Sequence, residues 1–562
     1  MPLTSEPVRA LALSASRLRW PLLALLAAVT THVVLALIWV GTHDLPTGTR
    51  DEFFVVAETF DIAWQLEHIP WSQLDVYPLL IMKSYYPPLC RLPGVLALLW
   101  GGDYDAMIIT QWLWIPFLVA GTWFAARAFL GPWASVAAVS LLLAGPAVQD
   151  TLHRYEPNLG AMAMAACVLA AWLHSDDLRR QRETLLMGLF LGMGLLADRL
   201  GVVPFLLAPV AVSLTRSDSR TATLRGLGLL ALVALVVAGW WYIDFFERFA
   251  RELVPQLFGG EISAVGTDLE DRPPLPLWWL HYLVLWPDSQ LGLIGGTCAL
   301  AGLGWALRNH RQPAVRNLLI WLGGGLLLFT LVQKRQPFYT LALLPVAAIF
   351  AAALLQAVAQ RLGTAGAVIG ALVVASATLP AVITSQEQIP DVPPGLRDWT
   401  LNSRSPLPEG WIGERFPLGV PPQDVGLRIE GSLDLLEEHG LGEDELVLVF
   451  SDDGIVNESA MWSFGRIHRG NRQVLGLTLD PQGIFEHGHR ARALIFVHDT
   501  PGSWPQDRNL IAAHERFFGF EEETWPLLPL VRGLRAGATL VEERRLRTET
   551  TLSTWLLTGA SP

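Results

Sequence analysis

Apolar runs of roughly 20 residues, the length that crosses a hydrocarbon core, recur from Trp20 to Ile383 with short polar connections between them, and then stop. This restricts the fold more than any other feature, because a backbone that crosses lipid must satisfy its hydrogen bonds internally, and runs of this length do so as helices. The chain is 52% hydrophobic and only 16% charged, with a mean hydropathy of +0.37, more apolar surface than a water-soluble core can hide. From Ser385 the sequence turns Pro-rich and charged, with 27 Asp and Glu against 16 Arg and no Lys, so nearly all of the net charge of −12 falls there. So acidic a region is not built for nucleic acid.

Two parts are therefore expected: a polytopic α-helical membrane part, residues 1–384, and a water-soluble α/β domain, residues 385–562. In the second part, alternating patterns predict strands at Glu445–Phe450, Val474–Leu479 and Ala493–Val497 and helices at Asn457–Arg469 and Arg508–Phe518. The three cysteines, Cys90, Cys167 and Cys298, all lie in or beside apolar segments, which leaves the soluble domain without a disulfide framework.

Orientation follows from arginine, since basic residues in short connections stay cytoplasmic. Arg9, Arg17 and Arg19 precede the first run, and further basic connections carry Arg127, Arg179 to Arg182, Arg216 to Arg225, Arg308 to Arg316, and Arg361. Acidic or mixed connections alternate with them, beginning with a long first outer loop, residues 41–104, whose Phe53 to Trp71 stretch is amphipathic at helical spacing. The run from Leu89 to Trp100 is short and interrupted by Arg91 and Pro93, so it reads as re-entrant or interfacial. The stretch from Thr184 to Leu214 reads as two helices broken at Asp198 and Arg199. About 11 spans result, with a cytoplasmic N-terminus and an extracytoplasmic C-terminal domain, in the cell's inner (cytoplasmic) membrane.

Several constellations at the expected outer face could carry chemistry. Asp51 and Glu52 are adjacent acids at the start of the amphipathic stretch, suited to general base work, to orienting a hydroxyl, or to a divalent metal, although acids in a first turn also meet the helix dipole favourably. The Tyr85-Tyr86-Pro87-Pro88-Leu89 segment fixes an extended entry that can aim Lys83 or Tyr86 at a lipid headgroup, and the same residues serve an interfacial anchor equally well. Arg154 and Glu156 share a short outer connection, where a cation runs against the charge bias of its side. Lys334 and Arg335, followed by Tyr339, form the sharpest anomaly: two adjacent cations at the outer end of a span, one of them among only two lysines beside 38 arginines. Lysine as a point charge and arginine as a planar fork together bind a phosphodiester well, and snorkelling at a lipid-facing surface is the alternative. Asp452, Asp453 and Asp499 follow expected strands and read as solvated loop acids. No P-loop, GxGxxG, CxxC, HExxH or GxSxG is present, so nucleotide hydrolysis, dinucleotide binding, thiol redox and serine hydrolysis lack support.

In their order, these features resemble the membrane glycosyltransferases that use polyprenyl-phosphate sugars, the group of protein O-mannosyltransferases and lipid A aminoarabinose transferases with the GT-C fold. The resemblance runs from about Trp20 to Leu355. It rests on Asp51-Glu52 in the first outer loop, Pro87-Pro88-Leu89 at the re-entry, Glu156 before a span, and Lys334 to Tyr339 leading to Pro345. Departures are Tyr86 where the family often has Lys or His directly before Pro-Pro-Leu, Glu156 where Asp is common, and Asp198-Arg199 near a span that often carries Lys. The resemblance implies a polyprenyl-phosphate sugar donor and an envelope acceptor, whether lipid, glycan or protein. By the same resemblance Asp51 and Glu156 are the catalytic acids. Glu52, Lys83, Tyr86, Arg154, Lys334, Arg335 and Tyr339 bind substrate, and no metal is required. A transporter or lipid flippase and a non-catalytic scaffold are the rival classes on sequence grounds.

Overall fold

The computed structural model describes residues 6–42, 50–70, 72, 86–198, 202–216, 220–258, 277–331, 337–384, 435–441, 445–450, 474–476, 491–498, 538–545 and 551–557. Its first part is helical throughout: α1 (Glu6–Thr42), α2 (Arg50–His68), α3 (Pro88–Leu99), α4 (Tyr104–Gln111), α5 (Ile115–Arg127), α6 (Pro132–Leu143), α7 (Pro146–Leu152), α8 (Asn158–His174), α9 (Gln181–Ala197), α10 (Val203–Arg216), α11 (Arg220–Phe258), α12 (Leu277–Leu285), α13 (Gly292–Arg308), α14 (Pro313–Leu331), α15 (Leu344–Leu362) and α16 (Thr364–Thr384). Among the described residues six helices are long and apolar enough to cross a membrane, seven if α6 and α7 count as one bent span. The chain is a multi-pass membrane protein.

The expected eleven crossings are thus not all met by length. The other five fall on α8, α9 and α13, each of 17 residues, and on the shorter α6 and α10. Seventeen residues rise about 25 Å, near the lower limit for a span. The shorter two are cut by local chemistry: Gly145 and Pro146 end α6 with a bend of 65°, and α9 stops at Asp198, so that α10 begins only at Val203. Apolar run length overstates helix length wherever such breakers intervene. In the opposite direction, α11 runs unbroken through Asp244, and the residues from there to Phe258 lengthen it beyond the apolar run.

Two helices form the centre. In α8 every residue from Leu159 to Trp172 is buried, and in α15 every residue from Leu344 to Ala353. Both are rich in alanine and apolar on all sides, the composition of a helix wrapped by neighbours, and small side chains let those neighbours approach closely. At Gly121 of α5 a Cβ would meet the backbone of Ala166 and Cys167 at 2.6 Å, and at Gly302 of α13 one would collide with the backbone of Phe350.

Contacts along the helices fix their relative directions. Cys167 bonds to the Phe117 carbonyl, the Arg216 guanidinium donates to Asn317 Oδ1 at 3.1 Å, and the Gly131 amide donates to Gln356 at 2.8 Å. With the His174 ring 3.4 Å from the Phe124 carbonyl and the Trp172 indole donating to Ser213 Oγ at 3.3 Å, these pairs gather the C-terminal ends of α5, α8, α10 and α15 and the start of α14 at one end of the bundle, the end that carries Arg127, Arg179, Arg216, Arg316 and Arg361. The described connection between α6 and α8, which lacks this arginine excess, lies at the other.

In the C-terminal part, β1 (Val447–Phe450), β2 (Val474–Gly476), β3 (Ala493–His498), β4 (Ala538–Arg545) and β5 (Thr551–Leu557) form one sheet in the order β2-β1-β3-β5-β4. The first three pair in parallel, with Leu448 opposite Leu475 and Leu494, and β5 joins antiparallel to β3 and β4. Val447, Leu448, Val449, Ala493, Leu494 and Ile495 are buried, as expected of parallel strands covered on both faces. The expected helices Asn457–Arg469 and Arg508–Phe518, together with Asp452, Asp453 and Asp499, lie outside the described residues.

Candidate active site

At the end of the bundle opposite the arginines, the chain between α6 and α8 folds back into the protein. Gly145 makes the bend possible because a Cβ there would stand 2.8 Å from the Gln290 carbonyl. Pro146 then starts the seven-residue α7, and Pro157 sets the entry to α8. Every residue from Pro146 to Pro157 is buried, so the charged side chains there must satisfy one another.

They do so in one array. The Arg154 Nε donates to Asp150 Oδ1 at 3.0 Å, and its Nη2 lies 3.0 Å from the same oxygen. Its Nη1 lies 3.5 Å from Glu156 Oε1, and Asn158 Nδ2 donates to Glu156 Oε2 at 2.6 Å. The side chains of Arg154, Asp150 and Glu156 are 2%, 5% and 8% exposed. One guanidinium between two carboxylates explains an arginine on the side where charge bias disfavours it. The Glu156 carboxylate, held by donors on both oxygens, is fixed in place. Trp39 of α1 stacks on His153 at 4.1 Å and closes the array from one side.

Tyr155 ties this array to α2 and α3. Its hydroxyl donates to the Arg91 carbonyl at 2.9 Å, and Thr59 Oγ1 lies 3.5 Å from it. Burial pushes the phenol well above its ordinary range, which keeps it a hydrogen-bond donor. The ring fits only because residue 94 is glycine: a Cβ there would collide with the Tyr155 hydroxyl. Arg91 is 1% exposed, and its Nε stands 3.7 Å from Glu58 Oε2 of α2.

The expected site residues divide as follows. Asp51 and Glu52 lie in the first turn of α2, with side chains outside the described part. By register Asp51 falls in the helix row of Val55, Glu58 and Ile62, and Glu52 in that of Val56, Thr59 and Ala63, residues that are buried apart from the partly buried Glu58. Tyr86 is buried beside Trp39, Cys90 and Tyr155. Arg154 and Glu156 meet directly. Tyr339 sits in a 3-10 turn, Pro337–Leu343, against Phe338 and Phe329 at ring distances of 5.1 and 5.6 Å. Lys83, Lys334 and Arg335 lie outside the described residues. Among the described residues no three His, Cys, Asp or Glu side chains converge as a metal site.

Sequence reasoning passed over Asp150, Tyr155, Asn158, Glu58 and Arg91. The spacing of Asp150 four residues before Arg154 is a signal for the first; the others depend on contacts between segments far apart in the chain.

A helical membrane part with buried acids at one end, followed by a small sheet in the C-terminal part, matches structures of the GT-C architecture, and the chain has that fold. Solved structures with the same fold include ArnT from Cupriavidus metallidurans in its apo state, 17% identical, with 94% of this chain and 97% of that chain covered and a TM-score of 0.55. The same ArnT bound to undecaprenyl phosphate matches over the same shares at 17% identity and a TM-score of 0.54. The oligosaccharyltransferase AglB from Archaeoglobus fulgidus, in complex with an inhibitory peptide and a dolichol-phosphate, is 13% identical, with 95% of this chain and 74% of that chain covered and a TM-score of 0.52. No family model and no curated protein matches the sequence.

Proposed function

We propose that this protein is an integral-membrane glycosyltransferase that moves a sugar from a polyprenyl monophosphate carrier to an extracytoplasmic acceptor. The observation that carries this reading is the buried Asp150–Arg154–Glu156–Asn158 array at the bundle end that also bears the first turn of α2. The fold supports it: one structure of that fold holds undecaprenyl phosphate and another a dolichol-phosphate.

In this reading Asp51 takes the proton of the acceptor hydroxyl as its oxygen attacks the anomeric carbon. The bond from that carbon to the phosphate oxygen breaks, and the polyprenyl phosphate leaves with the electron pair. Lys334 and Arg335 stabilise the charge that develops on it, with Tyr339 beside them and Lys83 and Tyr86 flanking the headgroup. Glu52 and Glu156 position acceptor and sugar, Arg154 holds Glu156 in place, and no metal is required. The arginine end of the bundle faces the cytoplasm in an inner membrane, so the site and the domain of residues 385–562 face outward.

The donor side is tested by binding undecaprenyl phosphate to the purified full-length protein. Lys334→Ala should weaken binding by about tenfold or more, roughly the loss of one charge-assisted contact, and the wild-type affinity should fall with added salt. Equal affinity in the variant removes the phosphate role of Lys334.

A further inference from the structure

Arg91 is a cation inside a 12-residue apolar helix, at the bundle end where the charge distribution disfavours cations, and it is fully buried. A buried charge in such a setting is costly unless paired, and one ion-pair partner is Glu58, 3.7 Å away on α2. Replacing a buried ion pair of this kind by apolar residues is often neutral or stabilising, so stability does not account for it. Placement does. The Arg91 backbone is pinned by the Tyr155 hydroxyl at 2.9 Å, and Tyr155 stands between Arg154 and Glu156. The pair therefore references α2 to the segment that carries the buried acids. Glu58 is seven residues after Asp51 in one continuous helix, two turns and about 10 Å along the same row.

We infer that Arg91 is a positioning residue: through Glu58 it sets the rotation and depth of α2 against the Tyr155 segment, which Thr59, Val55 and Val56 meet, and so the placement of the first turn of α2. The inference rests on the glycosyltransferase reading for its consequence in catalysis, but the mechanical coupling is measurable without it.

The test uses the full-length protein in nanodiscs with Arg91→Gln, Glu58→Gln, the double variant and Arg91→Lys. Hydrogen–deuterium exchange should rise in the α2 segment of Arg91→Gln and Glu58→Gln while α8 stays protected as in wild type. With a panel of synthetic undecaprenyl-phosphoryl hexoses and pentoses and an envelope extract as acceptor, each single variant should lose about 10- to 100-fold in kcat, the scale of a misplaced catalytic group. KM for the donor should hold within about twofold, since phosphate binding is untouched. The double variant should be no worse than either single one, and Arg91→Lys should recover part of the loss. If Arg91→Gln does not fold, Glu58→Gln carries the same expectations. Unchanged exchange in α2, or losses that multiply in the double variant, overturn the proposal. If the wild type turns over none of the donors, the functional reading fails, and the exchange data alone decide the coupling.

Discussion

Arg154 shows how one side chain holds a site together. It divides a single positive charge between Asp150 and Glu156 in a buried setting, so its removal leaves two carboxylates without their counter-ion. Arg154→Met should cost about 3–5 kcal/mol, the loss expected when one partner of a buried ion pair is deleted, readable as a lowered midpoint of thermal unfolding in detergent. A midpoint equal to wild type would show that the array contributes nothing to folding. Tyr155→Phe removes only the donor to the Arg91 carbonyl and should cost about 1 kcal/mol. Arg154 and Glu156 stand out in the sequence because a cation breaks the charge bias of its side. Asp150 does not, because it lies in a stretch that reads as a connecting loop yet forms the short α7, and the bend after Leu152 turns Arg154 back onto it.

Among the elements, α3 and its neighbours depend on a missing side chain. Gly94→Ala would put a methyl group into the Tyr155 hydroxyl, and either the ring or α3 must shift. Overpacking of this kind costs about 1–3 kcal/mol and should also disturb the α2 contact, so unfolding midpoint and α2 exchange should change together. A change in the midpoint alone would separate Tyr155 from α2. The shortness of α3 and the break at Asp198 are legible in the sequence, since Arg91, Pro93 and the Asp198-Arg199 pair interrupt apolar runs. The length of α6 is less so, because the break at Gly145 and Pro146 acts through backbone geometry that hydropathy does not record. The β4–β5 hairpin is missed for another reason. Glu542, Glu543, Arg544 and Arg545 obscure the alternation of a strand that lies at the sheet edge with a shift in register at Leu540/Glu542, and charges and bulges at edges are what keep such strands from pairing with other chains.

For the whole molecule, the distribution of arginine and the position of the buried acids give two unlike ends. Glu67, exposed in α2, and Arg311, exposed between α13 and α14, mark them. In intact cells a membrane-impermeant maleimide should label Glu67→Cys and leave Arg311→Cys unreacted, and the reverse pattern would invert the proposed orientation. A protein ending at Thr384 should still bind undecaprenyl phosphate but transfer poorly to its native acceptor; full transfer would give the domain of residues 385–562 some other task. Most of the transmembrane layout could be read from the sequence because lipid restricts the backbone so severely, whereas the links among α2, α3 and the Tyr155 segment join residues up to 96 positions apart and exist only in the folded protein. The most direct measurement is sugar transfer itself: purified wild type, Asp51→Asn and Glu156→Gln with radiolabelled undecaprenyl-phosphoryl sugars and an envelope extract. Wild type should release undecaprenyl phosphate and label the acceptor, with both variants folded and slower by roughly 10²- to 10⁴-fold; a wild type that turns over no donor, or variants as fast as wild type, would contradict the assignment.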